Sequence, residues 1–219
     1  TYVIQGKKMR LRKNKKYSKS AYLLFLLIFI SGFAYAADPS KVENKYIEMV
    51  KGNDNAPVVF VEYASLTCPA CAAFHSNVYP QLNKEYIETG KVKFIHREIY
   101  FDKAGLWAAL TARCTNGVNR YFGMLDLLYS EQPTWSRNES SDKIVDSLLK
   151  ISTKSGIEKA KAISCLEDQE KALDLVNEFQ IYVDRDDIES TPTFIINGKK
   201  YANRSYDELK KIIDKELGN

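Results

Sequence analysis

Histidine is scarce in this chain, with two in 219 residues, and neither a His-x-x-x-His pair nor a second Cys-x-x-Cys occurs. A zinc site built on the one Cys-x-x-Cys, Cys68-Pro69-Ala70-Cys71, therefore lacks its other ligand pair, and His75 alone does not supply it. No metal and no cofactor are expected. Acidic residues are missing from residues 1–36, which hold eight Lys or Arg. The formal net charge of +4 thus belongs to that leader, and residues 37–219 carry −4. No basic patch for nucleic acid is left in the remainder. Internal repeats and low-complexity runs are also lacking. The whole chain is 45% hydrophobic and 27% charged, which suits one compact domain.

The leader has the layout of a secretory signal. A basic stretch from Met9 through Lys19 precedes the apolar run 21–30, and Ala34-Tyr35-Ala36 gives a small-x-small cleavage pattern. A signal peptide over 1–36 is expected, with Met9 as a candidate start. An uncleaved anchor is the alternative, but the apolar run is short for a membrane span. Either way the folded part is exported, to a compartment where disulfides persist.

Pro57-Val58-Val59-Phe60-Val61-Glu62-Tyr63-Ala64 is apolar and β-branched almost throughout and reads as a strand buried on both faces. Ser65-Leu66-Thr67 turns the chain, and helical spacing begins at Pro69, which suits a first helical turn. Cys68 then sits at a helix N-terminus. Unpaired N–H groups and the positive dipole end stabilise a thiolate there, so its pKa is expected well below ~8.5. A thiolate is the species that attacks disulfides. Cys71, one turn on, is the expected buried resolving thiol. Glu62 interrupts the strand, where an ionised carboxylate is costly to desolvate. It reads either as a proton relay or as a partner of a nearby Lys or Arg. His75 and His96 read as structural.

The rest can be placed coarsely. Residues 37–52 read as a short N-terminal helix, from Asp38 through Val50, and a linker. The Cys68 helix runs to about Thr89 with a kink at Pro80. Residues 91–99 form the next strand, making a βαβ unit. Residues 103–187 are mostly helical. Thr193-Phe194-Ile195-Ile196 and Lys199-Lys200-Tyr201 flank Asn197-Gly198, a strong hairpin turn. Ser205 and Glu208 have capping-box spacing for a last helix.

The order βαβ, helical block, ββα resembles the thioredoxin fold with an inserted helical domain, as in the DsbA family of bacterial periplasmic thiol-disulfide oxidoreductases. The stretch Glu62 to His75 is similar to that family's active-site strand, turn and helix, and Ser190-Thr191-Pro192-Thr193-Phe194 to its cis-proline loop. The resemblance covers roughly residues 53–217. It implies a cis Pro192, where a lone sequence signal would suggest an ordinary trans proline opening a strand. It also implies that the backbone of Thr191 binds extended peptide beside the redox pair. Leu66 and Thr67 are expected at the rim. A glutamate at the position of Glu62 assists proton transfer in the resembling enzymes. The chain departs from the best-studied oxidases at Ala70, where they carry histidine, so a milder oxidant is expected.

Four cysteines permit three pairings. The motif takes Cys68 with Cys71, which leaves Cys114 with Cys165 as an expected structural disulfide, or else two separate thiols. Three functions follow. The first is a periplasmic oxidase that passes the Cys68–Cys71 disulfide to reduced exported proteins and is reoxidised by a membrane partner. The second is an isomerase or reductase. The third is a non-enzymatic surface protein reusing the fold. Only about twenty residues separate Ala36 from the first strand, so no large N-terminal oligomerisation domain is expected and the chain reads as a monomer.

Overall fold

The computed structural model describes residues 46–115, 117–137 and 140–218. The expected signal peptide over 1–36 and the start of the expected N-terminal helix lie outside these residues. Five strands form one mixed sheet in the order β1-β3-β2-β4-β5. At its centre β2 (Val58–Ala64) runs parallel to β3 (Val92–Glu98), with Val58 opposite Val92 and Ala64 opposite Glu98. Having a neighbour on each edge and helices on each face is what the run of β-branched and aromatic residues in β2 requires.

Residues 49–52 correct the expectation of a helix through Val50. Met49–Gly52 is β1, an edge strand antiparallel to β3, with Met49 opposite His96 and Gly52 opposite Lys93. Four residues carry no period that could separate helix from strand, and the open edge of β3 decides the matter. Gly52 ends the strand at φ +101, and a Cβ there would lie 2.5 Å from the Val92 carbonyl oxygen. Only glycine fits without movement.

After β2 the chain enters α1 (Pro69–Asn77), then α2 (Tyr79–Leu82) and a π-helical turn over Asn83–Ile87. The single kinked helix of the sequence reading is thus three segments. Pro80 sits in the first turn of α2, where its missing N–H leaves no bond unmade. The helical insertion comprises α3 (Lys103–Arg113), α4 (Val118–Ser130), α5 (Gln132–Trp135), α6 (Ser141–Lys154), α7 (Lys159–Leu166) and α8 (Gln169–Asp186). The hairpin β4 (Thr193–Ile196) and β5 (Lys199–Ala202) turns at Asn197 and Gly198, both at positive φ. The last helix, α9 (Tyr206–Glu216), opens with a capping box of Ser205 and Glu208. This is a thioredoxin fold with a helical insertion.

Strand alternation divides the core. Phe60, Phe94 and Phe194 lie on the face that meets α1, α4 and α9, and Phe74 of α1 packs 4.8 Å from Phe194 between ring centres. Val61, Tyr63 and Ile95 form the other face, against Phe179, Tyr182 and Val183 of α8. A buried ion pair ties the insertion to the sheet. Arg113 at the end of α3 donates to both carboxylate oxygens of Glu98 on β3, at 2.7 and 2.6 Å, and Tyr121 of α4 donates to Oε1.

Candidate active site

Two cysteines occupy different environments at the start of α1. Cys68 is the N-cap residue and half-buried, while Cys71 is fully buried, and both thiols are free. The Cys68 thiol is lowered from 9.0 to about 5. Its hydrogen bond with the Cys71 thiol is the largest cause, with Thr191 and the backbone N–H groups of Ala70 and Cys71 adding to it against the cost of partial burial. Burial first, then the bond with Cys68 and the nearby Glu62, pushes the Cys71 thiol far up. One thiol is ionised and reachable, and the other is protonated and enclosed.

The loop before β4 completes the site. The Thr191–Pro192 peptide bond is cis, and the Thr191 carbonyl oxygen lies 3.5 Å from the Cys68 sulfur. Pairing of β4 with β2 places that loop at the end of the strand that leads into Cys68, with Thr193 opposite Tyr63.

Behind the cysteines, Glu62 is fully buried on β2, with register partners His96 on β3 and Phe194 on β4. Its partner is neither Lys nor Arg: Oε2 lies 2.9 Å from Nε2 of His75. The His75 ring is stacked on Tyr129, 4.2 Å between centres. Nδ1 of His96 meets the Tyr121 hydroxyl at 2.7 Å, and burial lowers His96 to about 4, so it is neutral at ordinary pH. Glu62, His75 and His96 bring donor atoms within 4.8 Å of one another, the one such group among the described residues. All three residues are already hydrogen-bonded within the protein, which makes the group a hydrogen-bond network as it stands.

Residues 44–215 match the family model described as Thioredoxin. The chain is 30% identical over 170-odd residues to disulfide bond formation protein D of Bacillus subtilis, covering 77% of this chain and 76% of that protein. It is 33% identical to a putative protein-disulfide oxidoreductase of Rickettsia prowazekii, over 82% of this chain and 65% of the relative. The crystal structure of alpha-DsbA1 from Wolbachia pipientis superposes with a TM-score of 0.73 at 27% identity, covering 78% of this chain and 91% of that one. The chain belongs to the DsbA-like thioredoxin family. It spans 60–65% of the length of the rickettsial relatives that it matches.

Within this DsbA-like frame the structure corrects one expected rim contact. Leu66 is 1% exposed and belongs to the core. Thr67 does stand half-buried beside the nucleophile, and its hydroxyl donates to Asp102 at 2.8 Å. Asp102 also caps α3 by accepting from the Gly105 N–H. Nothing in the local residue pattern singles out Gln132. Its buried side-chain amide donates to the carbonyls of Leu66, at 2.8 Å, and Cys68, at 3.0 Å, and so anchors the active-site loop of this DsbA-like chain to the helical insertion. Cys114, at the end of α3, is bonded to Cys165 of α7.

Proposed function

We propose that the chain is an exported thiol-disulfide oxidoreductase that introduces disulfides into other exported proteins through Cys68 and Cys71. The observation that carries this reading is the contrast between the two thiols, Cys68 lowered to about 5 and half-buried, Cys71 raised and enclosed. A stabilised thiolate favours the reduced form and makes the disulfide oxidising. In the forward reaction a substrate thiolate attacks the Cys68 sulfur, and the Cys71 sulfur leaves with the bonding pair and takes up a proton. A second substrate thiolate then attacks its own sulfur in the mixed disulfide, and Cys68 leaves as the stabilised thiolate.

Extended peptide would lie along the backbone of Thr191 beside Cys68, bound by groups common to every peptide, which suits many unfolded substrates. Glu62, buried behind Cys71, would exchange its proton. A membrane redox partner would restore the disulfide. The periplasm is the proposed location, on the strength of the signal-like leader, and no described helix is long and apolar enough to cross a membrane. The test is the Cys71→Ser variant, which should accumulate mixed disulfides with reduced peptide on Cys68. Good rescue of scrambled disulfides with poor oxidation of reduced peptide would identify an isomerase instead.

A further inference from the structure

The helical insertion holds the active-site loop from two sides. The hydroxyls of Ser65 and Thr67 lie 3.1 Å apart, and Thr67 donates to Asp102 at the start of α3. On the other side stands Gln132 of α5, 3% exposed. Its Nε2 carries two hydrogens, and it meets the Leu66 carbonyl at 2.8 Å and the Cys68 carbonyl at 3.0 Å. α5 is itself fixed. The Trp135 ring is fully buried, and its Nε1–H donates to the Leu128 carbonyl of α4 at 2.8 Å.

The Cys68 carbonyl is a sensitive point of this loop. The Cys68–Pro69 peptide carries no N–H, so that carbonyl is the polar group by which the peptide plane is held. It accepts from Gln132 and also from the Ala72 N–H, at 3.2 Å, the first helical bond of α1. The plane fixes ψ of Cys68, at 119°, and hence the direction of its Cβ relative to the start of α1. The groups that face the sulfur there are the N–H groups of Ala70 and Cys71, beside Thr191.

We propose that Gln132 is a positioning residue for the exchange reaction: its amide holds the Cys68 carbonyl and so keeps the Cys68 sulfur aimed at the N–H groups of α1 while that sulfur changes partners. The inference rests on the reading of Cys68 as the attacking thiol. During turnover the Cys68 sulfur is bonded to Cys71, then to a substrate sulfur, then to neither. In the disulfide the covalent bond to Cys71 holds the sulfur in place. In the thiolate only the backbone does. A buried carbonyl deprived of its donor turns toward another donor or water, because leaving it unpaired is costly. A loop freed in this way lets the thiolate drift from the N–H groups that stabilise it. Loss of the amide therefore weighs on the reduced form more than on the oxidised one. The amide does this without bringing a charge beside the thiolate.

The test is thiolate absorbance of the reduced protein against pH, together with equilibrium against glutathione, for the parent, Gln132→Met, Gln132→Asn and Ser136→Ala. Methionine nearly keeps the volume of glutamine and has no donor. Ser136→Ala removes a hydroxyl that donates to the backbone carbonyl of Gln132 at 2.8 Å and leaves the amide alone. Gln132→Met should raise the Cys68 midpoint by about one unit, a tenfold weaker ionisation, and lower the exchange constant with glutathione by up to about tenfold. Gln132→Asn, whose amide is one methylene short, should move both in the same direction. Ser136→Ala should keep the parent values. A parent midpoint and exchange constant in Gln132→Met, even beside a loss of stability, reduce Gln132 to packing and overturn the inference while leaving Cys68 in its role. An equal shift in Ser136→Ala assigns the effect to the stability of α5 and also overturns it. A parent midpoint near 9, or mixed disulfides that form on Cys71, remove the Cys68 reading itself. If Gln132→Met does not fold, the midpoint of Gln132→Asn decides.

Discussion

Removing the Cys71 thiol should raise the pKa of Cys68, because that thiol is the largest cause of the shift from 9.0 to about 5. At neutral pH a thiol at about 5 is almost wholly ionised, against about one part in a hundred for one at 9, a gain of about a hundredfold in thiolate. Nucleophilicity falls with basicity at a Brønsted slope of roughly 0.4–0.5, so a drop of four units costs about 40- to 100-fold in reactivity per thiolate. The two effects nearly cancel in attack at neutral pH. What the shift changes is how readily Cys68 leaves and how stable the reduced form is. In Cys71→Ala the midpoint should move up by about one unit or more, and remain below 9 because Thr191 and the backbone N–H groups of α1 still face the sulfur. The assay is thiolate ultraviolet absorbance of the reduced protein against pH, checked by alkylation rate. A parent midpoint near 9, or the same midpoint in Cys71→Ala as in the parent, would refute the reasoning.

Three further outcomes are expected. A group with a depressed folded pKa gives stability that is complete above its unfolded value and lost as pH falls through the folded one. The reduced protein should therefore lose stability relative to the oxidised form as pH falls from about 9 to about 5. The full shift corresponds to about 5 kcal/mol, and for a half-buried, solvent-screened thiol roughly half of that is the expected size in paired denaturant titrations. Replacing Cys114 and Cys165 together by Ala should cost up to about 4 kcal/mol, the chain-entropy value for a loop of 51 residues, read as a fall in the denaturation midpoint. Arg113→Leu leaves the Glu98 carboxylate buried without its cation and should destabilise by about 3–5 kcal/mol in the same measurement.

Local signals were the legible ones. Cys68 to Cys71 lie within one helical turn, and β2 ahead of them announces itself by the strand formers Val58, Val59, Phe60 and Val61, bounded by Pro57. Asn197-Gly198 and the Ser205/Glu208 box likewise carry their geometry in adjacent residues. The site's supports were not legible, because they form between distant segments. Glu62 and His75 are 13 residues apart and meet only because β2 and α1 fold back on one another. Gln132 reaches Leu66 across 66 residues from a helix of four residues with no distinctive pattern. Leu66 looked like a rim residue because it neighbours the nucleophile, yet its side chain turns into the core while its carbonyl is held by Gln132. Met49 and Val50 read as the end of a helix because the strand character of Met49–Gly52 comes from the open edge of β3 and not from its own residues.

Equilibrium of the Cys68–Cys71 pair with glutathione measures most directly whether this site is built to oxidise. A potential well above the roughly −270 mV of thioredoxin, toward but short of the roughly −120 mV of DsbA because Ala70 supplies no imidazole, is the expected result. A potential at or below the thioredoxin value would mean that the lowered Cys68 thiol does not make the disulfide oxidising, and would contradict the proposed role.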